Sequence, residues 1–152
     1  MAGEETVRIN KIVELATFFI GDALCGIDIL GIQEINKYLE MTTVPRGPEY
    51  IKGVMNLRGR IVSIIDLGRK LGLSPTLPGK HNRNIIVNSQ NEYIGLLVDR
   101  IGDVVLADWD KVELPPANIG GVQGKFFEGV FKTDTSLIGI LNVEEIFNDE
   151  DN

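Results

Sequence analysis

The chain has 152 residues, a formal net charge of −7 at pH 7 and 43% hydrophobic residues. The acidic balance argues against a protein that grips a phosphate backbone, since that affinity rests on Lys and Arg. The length suits one domain, or two small intimate ones, with enough buried surface to fold without staples.

The opening MAGEETVRINK is polar, reads as loosely ordered and lacks the apolar core of a secretory signal. Val13 to Ile20 is β-branched and aromatic and predicts a strand; Gly21-Asp22 marks a tight turn, and Leu24 to Ile29 predicts a returning strand. Cys25 is the single cysteine, so no disulfide framework or cysteine metal cluster is expected, and its apolar neighbours suggest a buried thiol. Ile29, Ile32 and Ile35 fit a helical turn or a continuing strand equally. Tyr38 to Thr43 is strand-like, and Pro45-Arg46-Gly47-Pro48 ends it. Ile51 to Leu67 predicts a hairpin, followed by a helical turn over Gly68 to Leu73 that Gly72 stops. Ser74 to Asn82 is a loop and the expected boundary between two halves. Strands are then predicted near Ile85–Asn88, Tyr93–Val98 and Gly102–Leu106, with a turn at Gln90-Asn91. Pro115 to Gly121 is a long Pro/Gly loop. A second hairpin and a short helix over Val143 to Phe147 precede the acidic tail. Short strands punctuated by Gly and Pro predict an all-β protein of small barrels or a sandwich. No stretch approaches the ~20 apolar residues of a membrane-spanning helix.

Residues 50–67 and 126–143 are the same pattern written twice. They align without a gap: Gly53 on Gly129, Val54 on Val130, Ile61 on Leu137, Ile64 on Ile140, Leu67 on Val143. A weaker echo places Gly26 on Gly95, Ile29 on Val98, Ile32 on Ile101 and Ile35 on Val104; upstream of those glycines it is expected to need a small gap. The period is far longer than that of solenoid repeats, so the pattern predicts duplicated β-modules. The hairpin tips differ: Asn56-Leu57-Arg58-Gly59-Arg60 in one copy, Lys132-Thr133-Asp134-Thr135-Ser136 in the other. Shared apolar positions report a shared fold, and the differing tip is where function can be specific to one copy.

Catalytic patterns are missing. His81, the sole histidine, lies in a Lys/Asn/Arg loop with no visible partner to orient it as a base. No phosphate loop, nucleophile elbow or H-E-x-x-H helix occurs. Asp99 with Asp103, or Glu144 with Glu145, read as solvated acidic faces. The tip at Arg58 carries more weight. Asn and Gly suit a turn, whereas Leu57 is unexpected there, and Arg58 is a planar, permanent charge suited to carboxylates or carbonyls. Two readings stay open: a charged tip with Leu57 folded inward, or a protein-contact site anchored by Arg58.

Tyr50-Ile51-Lys52-Gly53-Val54-Met55-Asn56-Leu57-Arg58-Gly59 followed by Ile61-Val62-Ser63-Ile64-Ile65-Asp66-Leu67 resembles the signature of the CheW-type chemotaxis coupling proteins. The run from Gly26 to Ile35, Val44-Pro45, and Gly95-Leu96-Leu97-Val98-Asp99 match too, so the resemblance covers about Val13 to Phe147. It implies one domain over 1–152 built as two small SH3-like five-stranded barrels packed together, with short helical turns. The first barrel would lie mainly in 13–73 and the second mainly in 83–147, with tail strands free to cross. It further implies a non-catalytic cytoplasmic adaptor, monomeric when free, without cofactor or metal and without membrane insertion. Such an adaptor is recruited to membrane-associated receptor arrays, where it joins the cytoplasmic tips of methyl-accepting chemoreceptors to the regulatory domain of the histidine kinase CheA. Carried over, the receptor groove between the barrels would involve Ile32, Arg58 and Val104, with Leu57 and Val98 nearby. Glu34, Gly53, Asn56 and Gly59 are candidates for coupling or the kinase interface. Whether Arg58 touches the partner or shapes the groove stays open. The alternatives are the same fold in another chemosensory-like system, such as surface motility, or a small-ligand-binding barrel.

Overall fold

The computed structural model describes residues 11–37 and 41–148. The opening segment, Tyr38 to Glu40 of the strand-like stretch and the acidic tail lie outside the described residues. Twelve strands run in chain order: β1 Ile12–Ile20, β2 Ala23–Asp28, β3 Ile32–Lys37, β4 Ile51–Leu57, β5 Arg60–Asp66, β6 Arg83–Ser89, β7 Glu92–Val98, β8 Arg100–Asp108, β9 Asn118–Ile119, β10 Val122–Gln123, β11 Phe127–Lys132 and β12 Leu137–Leu141. The stretch after β2 resolves into both of the forms its sequence allowed, a 3-10 turn over Ile29–Gly31 and then β3. The long Pro/Gly loop supplies β9 and the turn of the small β9–β10 ribbon, and β10 follows it directly.

Ten strands form two five-stranded sheets, β11-β12-β2-β1-β8 and β3-β6-β7-β5-β4. Each is closed on itself. Chain running on from β8 pairs Glu113 with Val130 on β11, each amide donating to the other carbonyl at 2.9 Å. Chain running on from β3 pairs Thr42 with Val54 on β4 in the same way at 2.8 Å. Closure removes the open edges that would otherwise invite further strand pairing. The all-β reading with short helical turns therefore holds, and the two barrels are sisters. β11, β12, β2, β1 and β8 correspond one for one to β4, β5, β7, β6 and β3.

The aligned glycines show why the repeat is visible. Gly53 and Gly129 stand where the barrels close. A Cβ on Gly53 would lie 2.6 Å from the Thr42 carbonyl oxygen, and one on Gly129 would lie 2.5 Å from a Val112 methyl and 2.9 Å from the Glu113 carbonyl oxygen. Gly26 and Gly95 share a second role: each lies in a parallel pair, opposite Ile140 and Ile64 respectively. The upstream echo also needs no gap, which corrects the expected alignment. Leu15 pairs with Asp28 and Ile20 with Ala23, just as Asn84 pairs with Leu97 and Ser89 with Glu92. In this register Phe18 corresponds to Val87.

The barrels do not follow the halves of the chain. One is assembled from 12–28 and 100–141; the other is continuous over 32–98 and nested inside the first. The expected division at the Ser74–Asn82 loop is therefore corrected: that loop stays within the nested barrel. The crossings occur at the 3-10 turn Ile29–Gly31 and at Asp99, where connectors this short carry the chain straight on to the neighbouring sheet instead of back beside its own hairpin.

Buried side chains fall into three clusters among the described residues. The largest lies between the barrels and draws Phe18, Cys25 and Ile27 from the outer barrel and Ile65, Val87 and Val98 from the nested one. Smaller clusters fill each interior: Met55, Val62, Ile64, Ile86 and Leu97 in the nested barrel, and Leu15, Ala107, Ile138 and Ile140 in the outer one. Cys25 is buried, as its neighbours suggested, and burial pushes its thiol up to about 12, so it is inert at neutral pH. Both long hairpins end alike. Asp66 and Asn142, equivalent in the repeat, accept from the amides of Arg69 (3.3 Å) and Glu145 (3.2 Å) to start one-turn helices.

Candidate functional site

The tip of β4–β5 is a two-residue turn, with Leu57 opposite Arg60. Arg58 and Gly59 both take positive φ, 53° and 84°, the requirement of the type I′ turn that follows the twist of a hairpin. Gly59 meets it without strain; Arg58 is an unusual residue there. The Asn56 side-chain oxygen accepts from the Gly59 amide at 2.9 Å and braces the turn. Leu57 is folded inward, half-buried against the nested barrel's interior cluster. Arg60 lies over the Tyr93 ring, 4.2 Å from its centroid.

With Leu57 turned in, Arg58 projects. Its side chain is 76% exposed, yet its guanidinium donates to the Glu34 carboxylate on β3. β3 and β4 are the two outer strands of the sheet, so this ion pair spans the seam where the barrel closes. Glu34 also accepts from the Asn36 side-chain amide at 3.1 Å, and Asn36 in turn accepts from the Asn84 amide at 3.5 Å. The Asn36 hydrogen bond and the Arg58 guanidinium hold the Glu34 carboxyl below the usual carboxylate range. A row of polar groups thus runs from the exposed tip to Asn84, which is fully buried.

Two residues singled out separately in the sequence, Arg58 and Glu34, are partners. Asn56 and Gly59 build the turn that presents Arg58, and Gly53 closes the barrel below it. Ile32 is half-buried on β3 and packs against the inter-barrel core. Val104 lies on β8 of the outer barrel, 57% exposed, at the position equivalent to Ile35 of β3, itself exposed. Val98 has no accessible surface and belongs to the core between the barrels. It supports the junction and offers nothing to a partner, so its place among the contact residues is corrected; a β-branched residue at the end of an apolar run is core first. Asn36 and Asn84 were missed. The signal available was the alternation of Glu34 and Asn36 on one face of a strand.

The sister tip is built differently. It carries Asp134 where the nested barrel has Arg58, and Asp103 where it has Glu34, so that pair is lost at the equivalent positions; the outer seam is crossed instead by Lys132, whose ammonium lies 3.7 Å from the Glu113 carboxylate. The described residues hold no group of three or more His, Cys, Asp or Glu placed to bind a metal.

A family model described as the CheW-like domain matches residues 14–151. The chain belongs to the CheW-like family. It is 30% identical to the chemotaxis protein CheW of Treponema pallidum over 142 residues, covering 91% of this chain and 84% of that protein. It is 31% identical to the chemotaxis protein CheW of Helicobacter pylori, covering 95% and 87%. A crystal structure of the scaffolding protein TtCheW from Thermoanaerobacter tengcongensis superimposes with a TM-score of 0.85 at 32% identity, covering 92% of this chain and 90% of that one.

The match includes both barrels, the Arg58 hairpin and β3, so the site described above lies wholly inside the CheW-like region. The chain is a CheW-type chemotaxis scaffold with a two-barrel β fold. Among the described residues no helix is long and apolar enough to cross a membrane.

Proposed function

We propose that this protein is a non-catalytic cytoplasmic adaptor that couples the cytoplasmic tips of chemoreceptors to the regulatory domain of the histidine kinase CheA. The observation that carries this reading is the Arg58–Glu34 pair. It holds a guanidinium in a fixed direction while leaving most of it exposed, and both of its positions are acidic in the sister barrel, Asp134 and Asp103. An arginine with its entropy already partly spent is suited to anchor a contact that must form and exchange repeatedly. Ile32 and Val104 supply apolar surface for the receptor, while Leu57, Asn56, Gly59 and Gly53 hold the tip in place from below. Arg58 then both touches the partner and, through Glu34, keeps the seam of the barrel in shape. Signal transfer needs contacts that differ between the two signalling states of the array; the adaptor needs no switch of its own.

The test is receptor-dependent CheA activation in a reconstituted array, with circular dichroism as the folding control. Arg58→Glu places two carboxylates side by side at the seam and is expected to abolish most of the activation in a folded protein. Lys132→Glu, next to the sister tip, is expected to leave activation intact. Full activation by Arg58→Glu, or equal loss from both variants, would overturn the role given to Arg58. Pull-down of the intact protein with a receptor-tip fragment and with the CheA regulatory domain tests the partners directly.

A further inference from the structure

Asn84 occupies a core position of the nested barrel. It lies on the same face of β6 as Ile86 and is paired with Leu97 on β7 and Asn36 on β3. Ile86 and Leu97 belong to the apolar cluster that fills this barrel. Asn84 has no accessible surface, and among the described residues its side-chain oxygen has no hydrogen-bond partner. An oxygen that gives up water on folding and gains no bond in return costs stability. The Asn84 amide nitrogen donates to the Asn36 side-chain oxygen at 3.5 Å.

The sister barrel shows what the fold itself requires here. The cross-strand pair Asn36–Asn84 of β3 and β6 corresponds to the pair Val105–Leu15 of β8 and β1. Leu15 is buried, and Val105 packs half-buried on the outer barrel's interior cluster. The same register is therefore built from two apolar side chains in one barrel and from two amides in the other. Closing a barrel does not call for the amides, and one of them leaves an oxygen stranded.

The hydrogen bonds show what the amides do. Because Asn84 holds the Asn36 oxygen, the Asn36 nitrogen faces Glu34 and donates to Oε2 at 3.1 Å. A flipped Asn36 would set its carbonyl oxygen against the carboxylate. Arg58 donates to the other carboxylate oxygen, Oε1. One oxygen of Glu34 is thus fixed from the barrel interior, and its partner serves the exposed tip. An exposed ion pair left to itself is weak and exchanges freely. A carboxylate whose plane is set from behind restricts the directions open to the planar guanidinium.

We infer that Asn84 is a positioning residue: from inside the nested barrel it directs the Arg58 guanidinium through Asn36 and Glu34, touching no partner itself. This role rests on the coupling reading of Arg58, and it accounts for a polar group kept at a position where an apolar one would stabilise the fold.

Asn84→Leu installs the residue of the sister barrel. It is expected to keep or raise the urea midpoint, and to raise the Glu34 titration midpoint followed by carbon-detected NMR. It should also raise by about fivefold the protein concentration that half-activates CheA in the reconstituted array. Asn84→Ala cannot overfill the interior; it should move Glu34 and activation in the same direction while lowering the urea midpoint. Asn36→Leu should shift activation by a similar factor, and combining it with Asn84→Leu should add nothing further, because both substitutions break one chain of contacts. A Glu34 midpoint unmoved in both Asn84 variants would overturn the positioning role. So would additive losses in the double variant, or wild-type activation by both Asn84 variants while Arg58→Glu abolishes it. Full activation by Arg58→Glu would instead bring down the coupling reading, and the positioning role with it. The Glu34 midpoint is measured on the full-length protein without any partner, so a failure inside the barrel is told apart from a failure at the tip.

Discussion

The two hairpin tips solve one geometric problem with different chemistry. In the outer barrel, Thr133 closes its own turn: its side-chain oxygen accepts from the amides of Thr135 (3.3 Å) and Ser136 (2.9 Å), and no residue there takes a positive φ. In the nested barrel an arginine sits at φ 53°, a conformation that suits Asn or Gly better, and its side chain reaches across the seam to Glu34. A turn selected for stability alone would not place Arg there, and the sister tip shows the cheaper solution within the same molecule. The unusual residue is kept where the exposed charge is.

The comparison can be broken most severely at the closing glycines. Gly53→Ala sets a methyl against the rigid Thr42 carbonyl, and a loss of about 3 kcal/mol in urea unfolding is expected. At Gly129 the added methyl would meet a Val112 methyl at 2.5 Å and the Glu113 carbonyl oxygen at 2.9 Å, a slightly longer approach to backbone than at Gly53, so Gly129→Ala should cost about 2 kcal/mol. Equal losses would mean that the two seams are mechanically alike. A smaller effect separates stability from coupling. Arg58→Asn suits the positive φ and gives up a mostly exposed ion pair, so stability should stay within about 0.5 kcal/mol of wild type. CheA activation should nevertheless fall. A variant that lost both would show Arg58 to be a structural residue. The smallest effect is in titration. Because the Glu34 carboxyl is held low when folded, its contribution to stability is present above the ordinary carboxylate range and fades as pH falls through the lowered value. Carbon-detected NMR should find its midpoint low in the wild type and raised in both Asn36→Ala and Arg58→Ala. A Glu34 midpoint that stays put in Asn36→Ala would remove that residue from the network.

Much of this was legible in the chain. The repeat of 50–67 in 126–143 was visible because closure forbids a side chain at Gly53 and Gly129 and fixes the apolar alternation around them. Asn56 and Gly59 announced a turn because few other residues fit one. What stayed hidden depends on which strands meet. Equivalent strands can be recognised from their residues, but whether β2 is followed by its own sheet or the neighbouring one is decided by connectors of three residues or fewer. The direction Leu57 faces, the burial of Val98 and the link from Asn84 through Asn36 to Glu34 all follow from pairings between distant strands.

Nesting one barrel inside the other also sets an order of assembly. As the chain leaves the ribosome, the inner barrel has every strand it needs once Val98 has emerged, while β1 and β2 must wait, their outer edges unpaired, until β8 and then Leu137–Leu141 arrive. The barrel that bears Arg58 can therefore finish first and serve as the surface on which its sister closes.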